Sequence, residues 1–466
     1  MHSFTVAQIL AAESVALQRF GQLPLMLRAA TTVAMAAVAE LRSPVQGRSA
    51  VLLVGGGNNG GDALFAGANL ARRGVRVTAV LLDPVKTHPA GLTALRRAGG
   101  RTVTPDEAPG LLGRADIIVD GLVGIGARPP LRSAASRLVE LANGAPGRRV
   151  AVDVPSGVDP DTGTAPGPAF AADLTVTFGG AKTGLLLSPN TGQLIVHQLD
   201  FPLDGAPFDA LALDDAEAAA LIPAAGAADS KYSNGVLGIA AGSAEYPGAA
   251  VLCTGGAIRT RPGMVRFAGG SKDAVLARWP EVVAADAVRG TGRVQAWVVG
   301  PGLGTDAAGQ GTLHEVLAAA VPVLVDADGL RLLARHPELL EGRREGTVLT
   351  PHAGEFGALF PDLDPANRLA STRAAAARSG AVVLLKGNRT VIAAPDGRTA
   401  VNRSGTPWLA SAGSGDVLSG ITGSLLAAGL DPFLAATLGA YLHGRAGQRA
   451  EAAGQAGAQA LWDHIR

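Results

Sequence analysis

Short apolar runs alternating with stretches of helical spacing constrain this chain more than any other feature. In its first half the runs Ser49–Val54, Val75–Leu82, Ile117–Val119, Arg149–Val154 and Leu174–Phe178 are brief and bounded by Gly, Pro or Asp. Between them, Ala63–Arg73 and Ala134–Ala142 repeat Ala, Leu and Arg at helical spacing. A strand that is apolar throughout needs cover on both faces, so the alternation predicts an α/β fold with a parallel, doubly wound sheet. The segments carrying Ala12, Glu13 and Leu17, and then Leu27 to Ala39, predict helices packed beside it.

After the Pro/Gly-rich crossing Phe201-Pro-Leu-Asp-Gly-Ala-Pro207 the pattern restarts. Asp214 to Leu221 predicts a helix, and strands are expected at Val236–Ala241, Ala296–Val299, Val323–Val325, Val348–Leu349 and Val382–Leu385. A chain of 466 residues exceeds one ordinary core, and we place two domains, 1–210 and 211–466. The halves share a class but no repeating motif, so no internal duplication is read. Hydrophobic residues at 47% and charged residues at 17% exclude a disordered chain, and aromatics at 4% leave Ala, Val and Leu to build the cores. A net charge of +1 without a basic block excludes nucleic acid as the main partner. Cys253 is the only cysteine, which excludes an intrachain disulfide and a cysteine-based zinc site; its apolar setting predicts a buried, inert thiol in a helix. Ala29 to Leu41 is shorter than the roughly 20 apolar residues of a membrane span. His2 to Glu13 lacks the apolar centre of a secretory signal. The expectation is a cytoplasmic protein without a membrane partner, assembled as a homo-oligomer.

The first chemical signal is Val51-Leu-Leu-Val-Gly-Gly-Gly-Asn-Asn-Gly-Gly-Asp62, an apolar strand running into a glycine turn. Gly55-x-Gly57-x-x-Gly60 fits a dinucleotide fingerprint, with Asp83 placed to serve as its ribose-binding acid. That fingerprint leaves Asn58, Asn59 and Asp62 unexplained. Carboxamide and carboxylate oxygens in a turn suit a hard cation such as K⁺ or Na⁺. Two further strand ends carry similar groups, Asp120-Gly-Leu-Val-Gly-Ile-Gly126 and Asp153-Val-Pro-Ser-Gly-Val-Asp159. Strand carboxyl ends converge on one crevice in a doubly wound sheet, so Asn59, Asp120 and Ser156 can meet there.

These three stretches resemble, in order, the signatures of the NAD(P)H-hydrate epimerase family. The resemblance implies a Rossmann-like domain in which Asn58, Asn59, Gly60, Gly61 and Asp62, with Gly124, Ile125, Gly126, Ala127, Arg128, Pro129 and Pro130, hold the hydrated nucleotide. It implies K⁺ on Asn59, Asp120 and Ser156, substrate contact by Asp153, and assistance from Lys182 in proton transfer. Moving protons to and from a hemiaminal is work a carboxylate near a lysine can do. Ala63 departs from the glycine that often follows in the family.

In the second half, Val298-Val-Gly-Pro-Gly-Leu-Gly304 ends a strand in a glycine turn, and Leu384-Leu-Lys-Gly-Asn-Arg-Thr390 ends another with a cation. Ser411-Ala-Gly-Ser-Gly-Asp416 runs into a helix whose free amides suit a transferring phosphoryl group, with Asp416 beside them as base. Gly179-Gly-Ala-Lys-Thr lacks the glycine before lysine, so the chain has no P-loop there. The Gly-Ser-Gly-Asp run resembles the ribokinase superfamily. Lys231-Tyr-Ser-Asn-Gly235, Gly242-Ser-Ala-Glu-Tyr-Pro-Gly-Ala-Ala250 and Thr350-Pro-His-Ala-Gly-Glu355 resemble its ADP/ATP-dependent NAD(P)H-hydrate dehydratase branch. The resemblance implies that Ala250, Gly302, Gly304, His352 and Asp416 face the hydrate, and that Lys386, Gly387, Asn388, Arg389, Thr390 and Gly415 face ADP or ATP with Mg²⁺. The implied reaction is phosphorylation of the hydrate hydroxyl by way of Asp416, then loss of phosphate. Asp326 and Asp328 are candidate helpers or turn acids. Arg259-Thr-Arg-Pro-Gly-Met264 stands where the family usually has a small Gly-Ala-Gly turn and Asn388-Arg389 where it has smaller residues, and Arg261 either adds a phosphate contact or narrows the pocket.

The substrates implied for the whole chain are hydrated NADH and NADPH (NADHX and NADPHX). Two other readings stand beside this one: an NAD-dependent dehydrogenase fused to a vitamin or sugar kinase, and a nucleotide-sensing module that stabilises an active second half.

Overall fold

The computed structural model describes residues 1–223 and 234–465. The chain divides into two compact units, His2–Ala210, and Leu211–Arg466 together with Met1.

In the first unit seven parallel strands lie in the order Arg101–Val103, Arg76–Leu81, Ser49–Val54, Ile117–Gly121, Arg148–Val152, Leu174–Phe178 and Gln193–His197. Numbered by chain order within the sheet, this reads 3-2-1-4-5-6-7. The order reverses between Ser49–Val54 and Ile117–Gly121, the place where doubly wound sheets open a ligand crevice at their carboxyl ends. Along the central strand Leu52 and Val54 join the core on one face, Val51 and Leu53 the core on the other. Apart from this sheet, His2–Phe4 pairs in parallel with Ala181–Lys182, matching Phe4 to Lys182. Thr5 and Gln8 then form a capping box that starts the helix Val6–Phe20.

In the second unit the parallel order is Val283–Ala285, Met264–Ala268, Val236–Ala240, Ala296–Val299, Val323–Val325, Thr347–Leu349 and Val382–Leu385, again 3-2-1-4-5-6-7. Thr390–Ala393 and Thr399–Asn402 extend it as an antiparallel hairpin. Leu237 and Ile239 pack with the helices Pro247–Arg259, Ser414–Ala427 and Pro432–Ala452; Val236 and Ala240 pack on the opposite face.

Two helices differ from expectation. The helix expected from Ala63 begins at Asn58 and runs to Ala71, so the Asn-Asn-Gly-Gly-Asp run is its first turn rather than a loop. The helix expected over Leu27 to Ala39 is longer, Gln22–Leu41, and takes in the apolar stretch Ala29 to Leu41 within 20 residues; Pro24 is tolerated near its start, where no intrahelical donor is needed. By length and composition it is the one described helix apolar enough to cross a membrane. It buries Ala29, Ala30, Val33, Ala34 and Ala37 in the first unit's core, which accounts for that composition. Cys253 is buried in the helix Pro247–Arg259.

Candidate functional sites

In the first unit, two strand ends meet where Gly55 passes the Leu122 backbone. A Cβ on Gly55 would fall 1.8 Å from the Leu122 carbonyl oxygen, so only glycine permits the approach. The helix Asn58–Ala71 then places Asn58, Asn59 and Asp62 on one face, lining a cavity of about 480 Å³. Gly124, Ile125, Gly126, Ala127, Asp153 and Lys182 also line it. Gly60 and Gly61 instead pack inward, against Gly55 and against His88 with Met26. Arg128, Pro129 and Pro130 are not in the lining.

Asp120 ends its strand fully buried. Its Oδ2 accepts from Ser156 N at 2.8 Å, and its Oδ1 accepts from Ser156 Oγ at 2.7 Å and Leu122 N at 3.1 Å. Burial raises this carboxyl to about 6, with those hydrogen bonds opposing. Val123 ties in Asn59: its amide donates to Ser156 Oγ at 3.2 Å and its carbonyl accepts from Asn59 Nδ2 at 2.7 Å. Asn59, Asp120 and Ser156 thus form one cluster.

Asp153 follows Arg148–Val152 with φ at +66°, a left-handed conformation that few side-chain-bearing residues adopt and that concentrates at functional sites. Its Oδ1 accepts from Lys182 Nζ at 2.5 Å and Thr177 Oγ1 at 3.1 Å; its Oδ2 accepts from Ile125 N at 3.2 Å. Lys182 is 1% exposed and donates also to Thr177 Oγ1 at 2.8 Å and the Phe178 carbonyl at 3.0 Å. A buried ammonium needs such partners.

Two more acids reach this cavity. Asp62 is buried, and its Oδ1 has no hydrogen-bond partner among the described residues. Burial, then the charges of Asp153 and Glu13, push its carboxyl well above the usual range. Glu13 comes from the helix Val6–Phe20 and is raised by burial and by Asp153, with Lys182 opposing. No motif marks Glu13. Its signal in the sequence is a carboxylate on the stripe formed by Ile9, Ala12 and Ala16, which the helix buries. Asp83, the candidate ribose acid, instead closes an exposed turn: Oδ1 accepts from Val85 N and Oδ2 pairs with Lys86 at 2.9 Å.

In the second unit the strand Ala296–Val299 leads to Gly302, packed on Ala249 and Tyr246, and to Gly304, whose amide donates to Asp328 Oδ2 at 3.0 Å. Ala250 is buried in the adjoining helix. His352 caps the helix Ala353–Leu359: Nδ1 accepts from Gly354 N at 3.0 Å and Glu355 N at 3.2 Å, and the side chain is 56% exposed. Lys386 Nζ donates to Asp326 Oδ1 at 2.7 Å and lies 3.9 Å from Glu355 Oε2. Ser419 Oγ donates to Asp326 Oδ2 at 2.7 Å. Burial works against the Lys386 charge, but Asp326 and Glu355 outweigh it and raise the group above its ordinary value.

The helix Ser414–Ala427 opens beside this pair. A Cβ on Gly415 would lie 3.4 Å from Lys386 Nζ, so glycine keeps that face clear. Asp416 stands in the first turn, where burial and then Asp326 push its carboxyl to about 7, with Lys386 opposing. His443 Nε2 donates to the Ser414 carbonyl at 2.9 Å, a carbonyl being able only to accept. Burial drops this imidazole to about 4, so it remains neutral beside the helix start. Arg368 fastens the loop after Val382–Leu385: Nη2 donates to the carbonyls of Leu385 at 2.6 Å and Lys386 at 3.1 Å, and Nε to that of Arg389 at 3.0 Å. Within it Thr390 Oγ1 donates to the Gly387 carbonyl, Asn388 packs its carbonyl against Gly405, and Arg389 Nη1 donates to the Arg403 carbonyl. His443 and Arg368 were not legible as functional, because neither lies in a motif.

Asp326 is engaged by Lys386 and Ser419, and Asp328 by Gly304 and Arg331. Arg261 is exposed after the carboxyl end of Pro247–Arg259, where the chain enters Met264–Ala268, so it sits by the strand starts and not by the strand ends carrying Lys386. Residues 231–233 of the Lys231–Gly235 motif lie outside the described residues.

Residues 237–465 match the profile described as NAD(P)H-hydrate dehydratase. Residues 22–184 match the profile of the YjeF-related protein N-terminus, which leaves Glu13 outside it. The bifunctional NAD(P)H-hydrate repair enzyme of Mycobacterium tuberculosis is 48% identical over 92% of this chain and 90% of that protein. Its counterpart in Mycobacterium leprae is 47% identical over 96% and 93%. Among solved structures, a ribokinase-like superfamily protein from Enterococcus faecalis shares 25% identity and a TM-score of 0.50 over 55% of this chain and 93% of that one. An ADP/ATP-dependent NAD(P)H-hydrate dehydratase from Bacillus subtilis, co-crystallised with ATP/Mg²⁺, shares 29% identity and a TM-score of 0.48 over 54% and 95%.

Proposed function

The chain belongs to the family of bifunctional NAD(P)H-hydrate repair enzymes, and from that premise we propose how its two units divide the work. The first interconverts the R and S forms of hydrated NADH and NADPH. The second returns the S form to NAD(P)H at the expense of ADP or ATP. The observation that carries this division is that each crevice pairs a strand-end acid with a buried lysine, Asp153 with Lys182 and Asp326 with Lys386, while only the second adds an acid at a helix start, Asp416. One crevice is equipped to move protons; the other is equipped also to receive a phosphoryl group.

In the first unit Asp153 takes and returns the proton of the hydrate hydroxyl, oriented by Lys182, Thr177 and the Ile125 amide. Asn59, Asp120 and Ser156 fit K⁺: a buried carboxylate to which no cationic side chain among the described residues is bonded lies beside neutral oxygens. Among the described residues no cluster of three or more His, Cys, Asp or Glu side chains could hold a metal, so the donor set favours a monovalent ion over zinc or another tightly bound metal. Such an ion supplies positive charge that offsets Asp120 and fixes the turn facing the substrate.

In the second unit Asp416 accepts the proton of the attacking hydroxyl while Gly415 exposes its amide and Lys386 contributes charge for the phosphates. Gly387, Asn388, Arg389 and Thr390 shape the nucleotide side. Ala250, Gly302, Gly304 and His352 shape the hydrate side. Asp326 and Asp328 are already engaged by protein groups, which favours Mg²⁺ arriving with the nucleotide rather than waiting on a protein cage. A cytoplasmic setting and a homo-oligomer complete the proposal; exposed Leu10, Val15, Leu17, Leu23 and Leu27 on the first two helices offer apolar surface, and light scattering tests the assembly.

The decisive experiment mixes the protein with both epimers, K⁺, Mg²⁺ and each adenine nucleotide, following the absorbance of reduced nicotinamide. Full recovery of both epimers is expected. Recovery of only half would remove the epimerase half of the proposal, and hydride transfer from an added alcohol to NAD would replace it with a dehydrogenase.

A further inference from the structure

Asp153 and Lys182 account for one proton in the first cavity, but inverting a hemiaminal carbon by ring opening needs two proton sites. When the hydroxyl loses its proton, its oxygen becomes a carbonyl. The bond from the hydrated carbon to the ring nitrogen then breaks, its electron pair goes to nitrogen, and that nitrogen needs a proton. Rotation of the freed aldehyde and closure on its other face reverse both transfers. No oxidant, reductant or water is consumed.

We propose that Asp62 is the catalytic acid that protonates the ring nitrogen, working opposite Asp153, and that Glu13, which lines the same cavity, is a positioning residue acting through Asp62. This rests on the epimerase reading of the first unit. Its support is geometric: both carboxyls line the cavity that Asp153 and Lys182 line. The Asp62 Oδ1 is buried without a hydrogen-bond partner among the described residues, a costly state for an acid with no ligand to serve. Asp62 sits beyond the first turn of its helix, where it caps no amide. Glu13 is delivered by a helix anchored through the strand His2–Phe4, which pairs beside Lys182 itself. The charged groups around Asp62 are Glu13, Asp153 and Lys182 in the cavity; His88 packs against the neighbouring Gly61, and Arg28 of the adjacent helix is turned to Asp200. Burial and two nearby negative charges all favour the protonated form of Asp62.

The test starts from one pure epimer with K⁺ and no adenine nucleotide, and follows appearance of the other by chromatography. Asp62→Asn is expected to lower kcat by about 10²-fold or more while KM changes little. The wild-type kcat should fall at high pH as Asp62 loses its proton, and Asp62→Asn should lack that limb. Glu13→Gln should move the limb to lower pH, because removing a negative charge lets Asp62 ionise more easily. This shift also tests the assignment should Asp62→Asn fail to fold. Equal epimerisation by wild type and Asp62→Asn, or an unmoved limb in Glu13→Gln, overturns the assignment while leaving the epimerase reading intact. An inert wild type would sink both.

Discussion

Asp153 and Asp326 occupy the same place in two sheets of the same strand order, each at the end of the fifth strand by chain order. Each accepts a hydrogen bond from a buried lysine; Asp153 itself is left-handed at φ +66°, whereas in the second unit the positive φ, +49°, falls on Ala327, the residue after Asp326. The difference lies in what remains free. In the first unit Asp153 lines the cavity together with Asp62 and Glu13, and its lysine is bonded to it directly. In the second, Lys386 is held by Asp326, and the acid at the helix start, Asp416, is left without that partner and is pushed to about 7. On the proposed division of work, one kind of crevice, built separately in each unit, would serve two chemistries, depending on whether the buried lysine bonds the working acid or a neighbour that acts on it through space.

That comparison can be broken most directly by exchanging the acids' protons for amides. Asp416→Asn is expected to cost between about 10²- and 10⁴-fold in dehydration of the S form, and Asp153→Asn as much in epimerisation, each sparing the other reaction. Loss of both activities from either change would show that the crevices are not separate. Next in size, Lys182→Met leaves Asp153 buried without its cation and should destabilise the first unit by about 3–5 kcal/mol in urea melts.

The pH dependence sharpens the contrast. Dehydration should rise with pH on a limb centred near 7, because Asp416 must be deprotonated to act. Asp326→Asn should move that limb toward acid, since a repelling charge is removed. Stability runs the other way. The folded chain holds the Asp416 proton more tightly than an unfolded one with the ordinary value of 3.8, so its contribution weakens as pH rises from there to about 7. Asp416→Asn should therefore raise the melting temperature at pH 8 even as it slows dehydration. The smallest effect belongs to Asp83→Ala: no measurable change in melting temperature or in either activity, where a ribose-binding acid would have raised KM for the hydrate.

Much of this was readable in advance. Ser49–Val54 and Leu174–Phe178 stand where their unbroken apolar runs predicted them, because a central parallel strand has no solvent face to dilute the pattern. The start of the helix at Asn58 was hidden, since Asn, Asn, Gly and Gly are poor helix formers and only packing against Gly55 and Met26 holds them there. Arg101–Val103 and Val283–Ala285 are three-residue edge strands whose definition comes from partners distant in sequence. The hairpin of Thr390–Ala393 and Thr399–Asn402 did leave a local mark, Asp396-Gly397 between apolar runs. At the sites, Asp120, Asp153 and Asp416 were visible because glycines surround them. Glu13, Asp326 with its lysine, and Arg368 were obscure for the opposite reason: each acts through a contact between elements far apart in the chain.

The pairing of Ser3 with Ala181 and Phe4 with Lys182 carries a practical consequence. A protease cutting within the strand His2–Phe4 would loosen the segment that presents Lys182 and free the helix bearing Glu13, with no bond cut in a residue that lines the cavity. Such a clipped molecule could still rescue one stereoisomer while letting the other accumulate, and a preparation of mixed age would look like an enzyme with a puzzling stoichiometry.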